Sequence, residues 1–441
     1  MKTKKTIAGI INILLAAIMV LSLASCGDKA SAFSKKIDAM EAAAKSGNRA
    51  DFDKAASETV VFIGNKLKLN IDLIYGELSG KDKNGKLTEL VDRMLEVGLS
   101  APAQSEEDFE FQLSDDGNSV IITGYKYTGY YSYNLLDVGS ADEYKGKNFI
   151  VIPSEIQGLP VTEVSNFDKT RGKVLTIFVP GSVKKCGGMG NCYNIKFAEG
   201  VEKVQGFYDE FGGMIRKVEL PSSLKTIGSS AFEGQKHLES INFGSNLIAI
   251  GKSAFKDCKN LKEVTLPDSL ITIDDFAFYN SGLKSVSLPS NLKLIGGCVF
   301  AYTAIENITV PDSVKWLGTG SFVKCNNLKS MSLPSSLKGI FYNWDTDTYP
   351  TEIVKNCNNL ETLELAEGFN PVFASFQFAA HSEQWYMGEI DYTDMFKGQK
   401  IDANLSLQKT LKSHAPFKRW KCGTESSYGK EYWGLKTLAY K

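Results

Sequence analysis

Histidine is scarce in this 441-residue chain, which has only three, and the formal net charge is -1. His237, His381 and His414 lie far apart in the sequence. No H-E-x-x-H, G-x-S-x-G or phosphate-cradling motif occurs, and the acidic residues are too scattered to nominate a catalytic pair. The small net charge gives no indication of nucleic-acid binding. We therefore expect a protein that is not an enzyme and holds no cofactor or metal.

The N-terminus has the composition of an export signal. A lysine-rich start is followed by an apolar run from Ile7 to Leu23. The run ends in Leu23-Ala24-Ser25-Cys26, which resembles the bacterial lipobox. This resemblance implies that residues 1–25 are a signal peptide and that Cys26 carries a lipid anchor in a bacterial membrane. An uncleaved membrane helix and a simple secretory signal are the alternatives.

Residues 26–108 have the apolar spacing of helices and none of the pattern found later in the chain. Two stripes at helical spacing are Phe33, Ile37, Met40 and Ala44, and then Phe52, Ala56, Val60, Ile63 and Leu67. A third helix is predicted over Leu87–Val97, and the Pro102 region marks a linker. Such stripes are typical of a small helical bundle, which we interpret as a base near the membrane.

Residues 109–170 change to alternating apolar and polar positions. Phe109–Leu113 and Val120–Tyr125 flank Asp115-Asp116-Gly117-Asn118, a pattern that predicts a hairpin. We expect this segment to be a β cap that covers the apolar end of the region that follows.

The chain is organised around a repeat of 22 to 23 residues. Leu266-Pro267, Leu288-Pro289, Val310-Pro311 and Leu333-Pro334 follow at intervals of 22, 22 and 23 residues. Nine strand segments, or rungs, of the form L-x-x-I-x-L begin at Val174, Cys192, Ile215, Leu238, Leu261, Leu283, Ile305, Leu328 and Leu360. An aromatic spine recurs at Phe232, Phe255, Phe278, Phe300 and Phe322. This periodicity is typical of a solenoid whose rungs pair into a parallel sheet, because a single repeat cannot bury its apolar face alone.

The run Leu266-Pro267-Asp268-Ser269-Leu270, followed by Ile273, Phe278 and Leu283, resembles the BspA-like class of leucine-rich repeats. The resemblance covers roughly residues 150–370. It implies a leucine-rich repeat solenoid, built of parallel β rungs and loops over residues 171–373 and preceded by the helical region. It also implies a surface-exposed binding or adhesion protein. The chain has Pro-x-Ser-Leu where the commoner repeat has a turn asparagine, so ligand rules of other subclasses do not transfer.

Alternate rung positions should face outward if the first, fourth and sixth positions face the core. The candidate ligand-binding residues on this polar face are Asn242, Thr265, Ser287, Thr309 and Ser332. Nine rungs about 4.8 Å apart would span roughly 40 Å, a length that suits a protein segment or a glycan. Alternatively, Ser and Thr side chains merely keep an exposed sheet soluble.

One interval between rungs grows to 32 residues and inserts Phe341–Thr351. Insertions in solenoids often lie on the binding face. Tyr342, Trp344 and Tyr349 are candidates to stack on a sugar or anchor a protein, with Asp345 and Asp347 taking hydroxyl groups or a cation. A decorated loop that binds nothing is the alternative.

The chain has eight cysteines, so an odd number remains when Cys26 is set aside. Cys186 and Cys192 occupy columns held elsewhere by Ile and Leu, which predicts buried thiols. Cys325 and Cys357 lie on consecutive rungs within disulfide reach and are a candidate disulfide, with reduced packed thiols as the alternative. No C-x-x-C pair or Cys/His cluster indicates zinc.

Residues 374–441 break the period and are rich in aromatic residues, which we interpret as a C-terminal cap. The whole pattern predicts a lipid-anchored, surface-exposed protein of the bacterial cell envelope. The main hypothesis is adhesin-like binding of a host or neighbouring-cell protein. Glycan capture and a structural envelope role are the alternatives, and the membrane, leaflet and oligomeric state stay open.

Overall fold

The computed structural model describes residues 28–69, 74–82, 84–126, 148–165, 174–188, 192–206 and 213–343, and then 353–354, 357, 359–365, 372–376, 419–422 and 438–440. These residues form two compact units. The first takes its described residues from Met1–Ser105, Tyr127–Ile152 and Arg171–Phe178, and the second from Glu106–Lys126, Pro153–Thr170 and Val179–Lys441. No helix in the described ranges is long and apolar enough to cross a membrane.

The described residues of the first unit form four α-helices. They are α1 (28–46), α2 (Arg49–Phe62), which continues as a π turn over Ile63–Leu67, α3 (Ile74–Lys81) and α4 (Lys86–Leu99). Asn48 caps α2 because its side chain accepts hydrogen bonds from the N–H groups of Ala50 and Asp51. The predicted stripes are buried at Phe33, Ile37, Met40, Phe52, Ala56, Val60 and Ile63. The three predicted helices are confirmed, whereas the short helix α3 is an addition.

The helices of this unit pack on two strands, β3 (Phe149–Val151) and β6 (Thr176–Val179), whose residues 149–151 and 176–178 pair in parallel. Arg49 fixes the contact, since its guanidinium donates 2.8 Å hydrogen bonds to the carbonyl oxygens of Pro102 and Phe149. Its Nε also bonds Asp53 at 2.7 Å. The ring of Phe52 meets that of Phe149 edge-on, with centroids 5.8 Å apart. The helices are therefore tied directly to rung strands.

The second unit contains a 13-stranded sheet, the long sheet. It begins with the hairpin of β1 (Phe109–Leu113) and β2 (Val120–Tyr125), which pair antiparallel and confirm the predicted hairpin. Eleven further strands follow, which pair in parallel except for β4, which pairs antiparallel with β5. They are β4 (Glu155–Ile156), β5 (Leu159–Val164), β7 (Lys185–Gly187), β9 (Lys203–Gln205), β11 (Thr226–Ile227), β13 (Ala249–Ile250), β14 (Thr272–Ile273), β15 (Leu294–Ile295), β17 (Trp316–Gly318), β19 (Gly339–Asn343) and β21 (Val372–Phe376).

The predicted rungs form shorter parallel ladders in the same unit. One holds β8 (Asn194–Phe197), β10 (Lys217–Glu219) and β12 (Ser240–Asn242). Another holds β16 (Asn307–Thr309), β18 (Ser330–Leu333), β20 (Thr362–Leu365), β22 (Arg419–Cys422) and β23 (Leu438–Tyr440). Between them the described pairing is an isolated bridge of Thr265 with Ser287. Parallel rung pairing is thus confirmed.

The core between the sheets is built on the aromatic spine. Phe232, Phe255, Phe278, Phe300 and Phe322 are fully buried. Consecutive rings stack with centroids 5.4, 5.2, 5.7 and 5.5 Å apart. This spacing exceeds the roughly 4.8 Å between strands only slightly, so one ring per repeat fills the column without gaps.

Two stretches differ from the sequence interpretation. Residues 341–343, assigned to the insertion, continue β19 and pair with Ala374–Phe376 of β21. Phe and Tyr favour extended backbone, and the neighbouring strand supplies the hydrogen bonds. In the C-terminal segment, β22 aligns Trp420 with Leu363 and Cys422 with Leu365, so the rung columns continue beyond the ninth rung.

Candidate functional site

The rung face consists of the outward side chains of the rungs between Lys217 and Ser332. Inward and outward positions alternate as predicted: Val218 is buried between exposed Lys217 and Glu219, and Ile308 between exposed Asn307 and Thr309. This alternation follows from the period of two in an extended strand. The face therefore presents two outward columns, of which one contains the short uncharged polar side chains of Asn242, Thr265, Ser287 and Thr309 and the other includes the charged Lys217 and Glu263.

The five candidate rung residues lie on this face. Asn242, Thr265, Ser287 and Thr309 are exposed, and Ser332 is half-buried. Thr265 is paired with Ser287, and Thr309 with Ser332. Beside the latter pair, the hydroxyl of Ser330 donates a 2.6 Å hydrogen bond to Oδ1 of Asn307. Such hydroxyl and amide groups both donate and accept, which allows recognition of a polar ligand without charge.

Ion pairs between successive rungs border the rung face. Arg216 and Glu239 are 2.9 Å apart, and Lys329 and Glu306 are 2.7 Å apart. The hydrogen bond from Lys329 lowers the pKa of Glu306. These pairs are solvent-exposed and contribute little stability, but they neutralise the edge of the face.

A second column, one residue before the strands of the long sheet, has a different charge pattern. Lys225 pairs with Glu202 at 2.8 Å. Further along, Lys293, Lys315 and Lys338 follow on successive repeats, joined through backbone hydrogen bonds of 2.9 Å. None of these three ammonium groups forms an ion pair with a described residue. Like charges on neighbouring strands repel each other, so this lysine column slightly destabilises the sheet.

The structure places only part of the predicted insertion site. Tyr342 lies in β19 of the long sheet. Trp344, Asp345, Asp347 and Tyr349 lie outside the described residues, as does the predicted lipidation site Cys26. Whether these residues act together stays a prediction.

The described cysteines are buried free thiols: Cys186, Cys192, Cys258, Cys298, Cys325 and Cys357. Burial raises the pKa of Cys192 to about 12. Cys325 and Cys357 donate hydrogen bonds to the carbonyl oxygens of Phe300 and Phe322, at 3.1 and 2.9 Å. The neighbouring Cys357 thiol lowers the pKa of Cys325. Among the described residues, no group of three or more His, Cys, Asp or Glu side chains could hold a metal ion.

The family model for the BspA type leucine rich repeat region matches this chain in six copies, over residues 187–300 and 249–372. Residues 187–372 are BspA-type leucine-rich repeats. The matched residues contain the rungs from Cys192 to Leu360, the long-sheet strands from β9 to β19 and the phenylalanine spine. No curated protein matches the chain at a significant level.

Three solved structures with similarity to the chain come from bacterial proteins. One from Bacteroides ovatus is 20% identical, covers 63% of this chain and 80% of its own, and has a TM-score of 0.36. A leucine rich cell surface protein from Faecalibacterium prausnitzii is 18% identical, covers 60% and 83%, and has a TM-score of 0.33. The pneumococcal vaccine antigen PcpA is 18% identical, covers 77% and 98%, and has a TM-score of 0.37. Because these scores are low, the assignment to BspA-type repeats rests on the repeat match and the strand pairing.

Sequence reasoning missed an aromatic cluster around Tyr279 and Tyr302. Both residues belong to the segments that return from the long sheet to the rungs. The two preceding repeats have Glu233 and Lys256 in the column of Tyr279, and the repeats on either side of Tyr302 have Asn280 and Lys324. Aligning the returns column by column would have revealed the change, whereas the search for apolar periodicity passed over it.

Proposed function

We propose that the protein is a lipid-anchored binding protein of the bacterial cell surface that recognises a protein ligand along its rung face. The observation that carries the proposal is the regular row of exposed, uncharged polar side chains from Asn242 to Thr309. An extended binding surface of this kind is the usual use of repeat folds. The row suits a ligand that hydrogen-bonds at several successive rungs.

The rung face favours a protein over a small metabolite because its exposed polar groups are spread over successive rungs. Its polar groups lie about 4.8 Å apart on neighbouring rungs rather than converging on one point. Small-molecule sites are usually concave and enclose most of the ligand surface. A protein segment can instead exchange hydrogen bonds with many rungs at once.

The location is tested by protease treatment of intact cells. Surface exposure predicts cleavage of the full chain on intact cells, and a Cys26→Ser variant should lose its membrane attachment. Protection of the chain on intact cells, with cleavage after lysis, would rule out adhesion.

The ligand hypothesis is tested with the full chain on a panel of immobilised extracellular-matrix proteins and a glycan array. Asn242→Arg and Thr309→Arg place long side chains on the rung face and should abolish binding to any protein hit. Ser229→Arg, at an exposed position between the long sheet and the next rung, is the matched control and should bind normally. Equal binding by all variants would contradict the assignment of the rung face.

A further inference from the structure

The segments that return from the long sheet to the rungs form a third hydrogen-bonded array. These return segments are 229–237, 251–260, 274–282, 296–304 and 318–327. Each donates backbone hydrogen bonds to the next: Phe255 N–H to Ala277, Asp257 to Tyr279, and Tyr302 to Val323, at 2.7 to 2.9 Å. Side chains at equivalent positions therefore stack into columns, as they do in the sheets.

Two columns of the return segments have left-handed backbone. One consists of Ser230, Ser253, Phe276, Cys298 and Gly320, and the other of Gly234, Asp257, Asn280, Tyr302 and Lys324. Glycine, asparagine and aspartate adopt this conformation readily, whereas bulky residues do so at an energetic cost. Phe276 at φ 59° and Tyr302 at φ 63° are therefore strained.

Four residues in these columns, Phe276, Cys298, Tyr302 and Lys324, are neither glycine nor small and polar, and they lie together. Cys298 forms a buried cluster with Ala301 and Val323, and Phe276 packs against that cluster. Tyr302 lies alongside, and the Nζ of Lys324 is 4.8 Å from its ring centroid. Because strained residues tend to persist where function requires them, their concentration at one surface indicates a site.

The site, which we call the tyrosine patch, is defined by Phe276, Tyr279, Tyr302, Asp257 and Asn280. The rings of Tyr279 and Tyr302 have centroids 5.1 Å apart, and Phe276 meets Tyr279 edge-on at 5.5 Å. Tyr302 is 40% exposed, the most exposed aromatic side chain in the described ranges. The amide of Asn280 donates to the carboxylate of Asp257 beside the rings. Partial burial and the neighbouring Tyr302 raise the pKa of Tyr279 to about 12, so its hydroxyl stays a donor at neutral pH.

We propose that the tyrosine patch binds a saccharide, with one pyranose ring lying on Tyr302 and its hydroxyl groups bonded to Asp257 and Asn280. The face of an aromatic ring is electron-rich, which is why the Lys324 ammonium lies over it. The C–H groups on one face of a pyranose carry a small partial positive charge and can pack on the same face of the ring. A saccharide therefore takes the place of that ammonium on the ring.

A protein partner fits the tyrosine patch less well. Anchors of protein interfaces are usually fully desolvated at the centre of a contact of about 800 Å² per partner. Here a carboxylate and an amide lie immediately beside the exposed ring, so a protein anchor packed on Tyr302 would have to desolvate them. This combination of one ring with a carboxylate and an amide matches the alternating apolar and hydroxyl surfaces of a sugar.

The patch can be tested apart from folding because asparagine and glycine suit left-handed backbone. Tyr302→Asn removes the ring and relieves strain, and Asp257→Gly removes the carboxylate and retains the backbone. We expect both variants to keep the thermal midpoint of the wild type and to weaken saccharide binding by at least about tenfold. Tyr302→Phe keeps the ring and should retain most of the affinity.

The probes are oligosaccharides of glucose, N-acetylglucosamine, mannose and galacturonic acid, arrayed and then titrated by calorimetry against the full chain. Asn242→Arg on the rung face is the control and should bind saccharides like the wild type. Absence of any saccharide binding by the wild type would overturn the proposal. Binding by Tyr302→Asn and Asp257→Gly that is as tight as that of the wild type would also overturn it. Loss of a protein hit through Asn242→Arg concerns only the rung face, so the two proposals fail independently.

Discussion

Replacing Gly98 with alanine should destabilise the helical unit. A Cβ built on Gly98 would lie 2.0 Å from Cδ1 and 2.7 Å from Cε1 of Phe149, and 2.9 Å from Oγ1 of Thr176. Carbon atoms in contact are normally about 3.5–4.0 Å apart, so the Phe149 ring would have to move by about 1.5 Å. It cannot move freely, because it packs on Phe52 and its carbonyl oxygen is held by Arg49.

The magnitude follows from two opposing effects. Overpacking a core costs about 1–3 kcal/mol. Alanine favours helix over glycine by about 1 kcal/mol, which offsets part of that cost. Because an added Cβ would lie only 2.0 Å from Phe149, the overpacking cost falls at the upper end of that range, and we expect the free energy of unfolding of the helical unit to fall by about 2 kcal/mol.

Gly76 provides a matched control within the same unit. It lies in helix α3, and an added Cβ would meet nothing within 4 Å. Gly76→Ala should therefore raise the free energy of unfolding by about 0.5–1 kcal/mol. Urea titration followed by circular dichroism at helical wavelengths reports on this unit, since all four described α-helices lie in it. Equal or greater stability of Gly98→Ala would refute the close packing of α4 on the rung strands.

Three further outcomes are expected. Phe278→Ala, in the middle of the spine, should lower the free energy of unfolding by about 3–5 kcal/mol, because removal of a fully buried ring leaves a cavity. Urea titration followed by near-ultraviolet circular dichroism measures this loss, and a loss below about 1 kcal/mol would contradict continuous stacking. Lys315→Glu should stabilise the second unit by a few tenths of a kcal/mol at low salt and by less at high salt, because it places a negative charge between Lys293 and Lys338. Lys225 is the control position: it already pairs with Glu202, so Lys225→Glu should destabilise the same unit. Buried thiols such as Cys192, whose pKa is raised to about 12, should resist alkylation at pH 8 and react after unfolding. Intact mass measured after unfolding and alkylation without reduction should show Cys325 and Cys357 both labelled, as the free thiols of the structure require; absence of label on both would indicate the predicted disulfide.

The rungs could be predicted because the same apolar pattern recurs in every repeat and no local signal contradicts it. Positions such as Leu261, Leu283 and Ile305 return at a fixed period, and each is fully buried. The hairpin at residues 109–125 was equally predictable, since a turn sequence separates two alternating runs. In both places local and global preferences agree.

The long sheet escaped prediction because its strands lack alternation. Thr272 and Ile273 are both buried although they are adjacent, and the same holds for Leu294 and Ile295. A strand of two residues carries no period that sequence reasoning can detect. The backbone pairing of neighbouring repeats, rather than local propensity, makes these strands.

The tyrosine patch escaped for a related reason. Left-handed backbone is normally inferred from glycine or asparagine, and Phe276 and Tyr302 give no such signal. Their conformation is imposed by the return segments above and below, whose backbone hydrogen bonds fix each residue in its column. Tertiary structure thus overrides the preference of the individual residue.

The pattern of inter-repeat hydrogen bonds also has an evolutionary consequence. Lys315 bonds back to Lys293, and Lys338 to Lys315, so each repeat is joined mainly to its immediate neighbours. Duplicating or deleting one coding unit of 22 to 23 residues would disturb a single junction and leave every other register unchanged. Unequal recombination between repeats could therefore lengthen or shorten the rung face in steps of about 4.8 Å without redesign of the core.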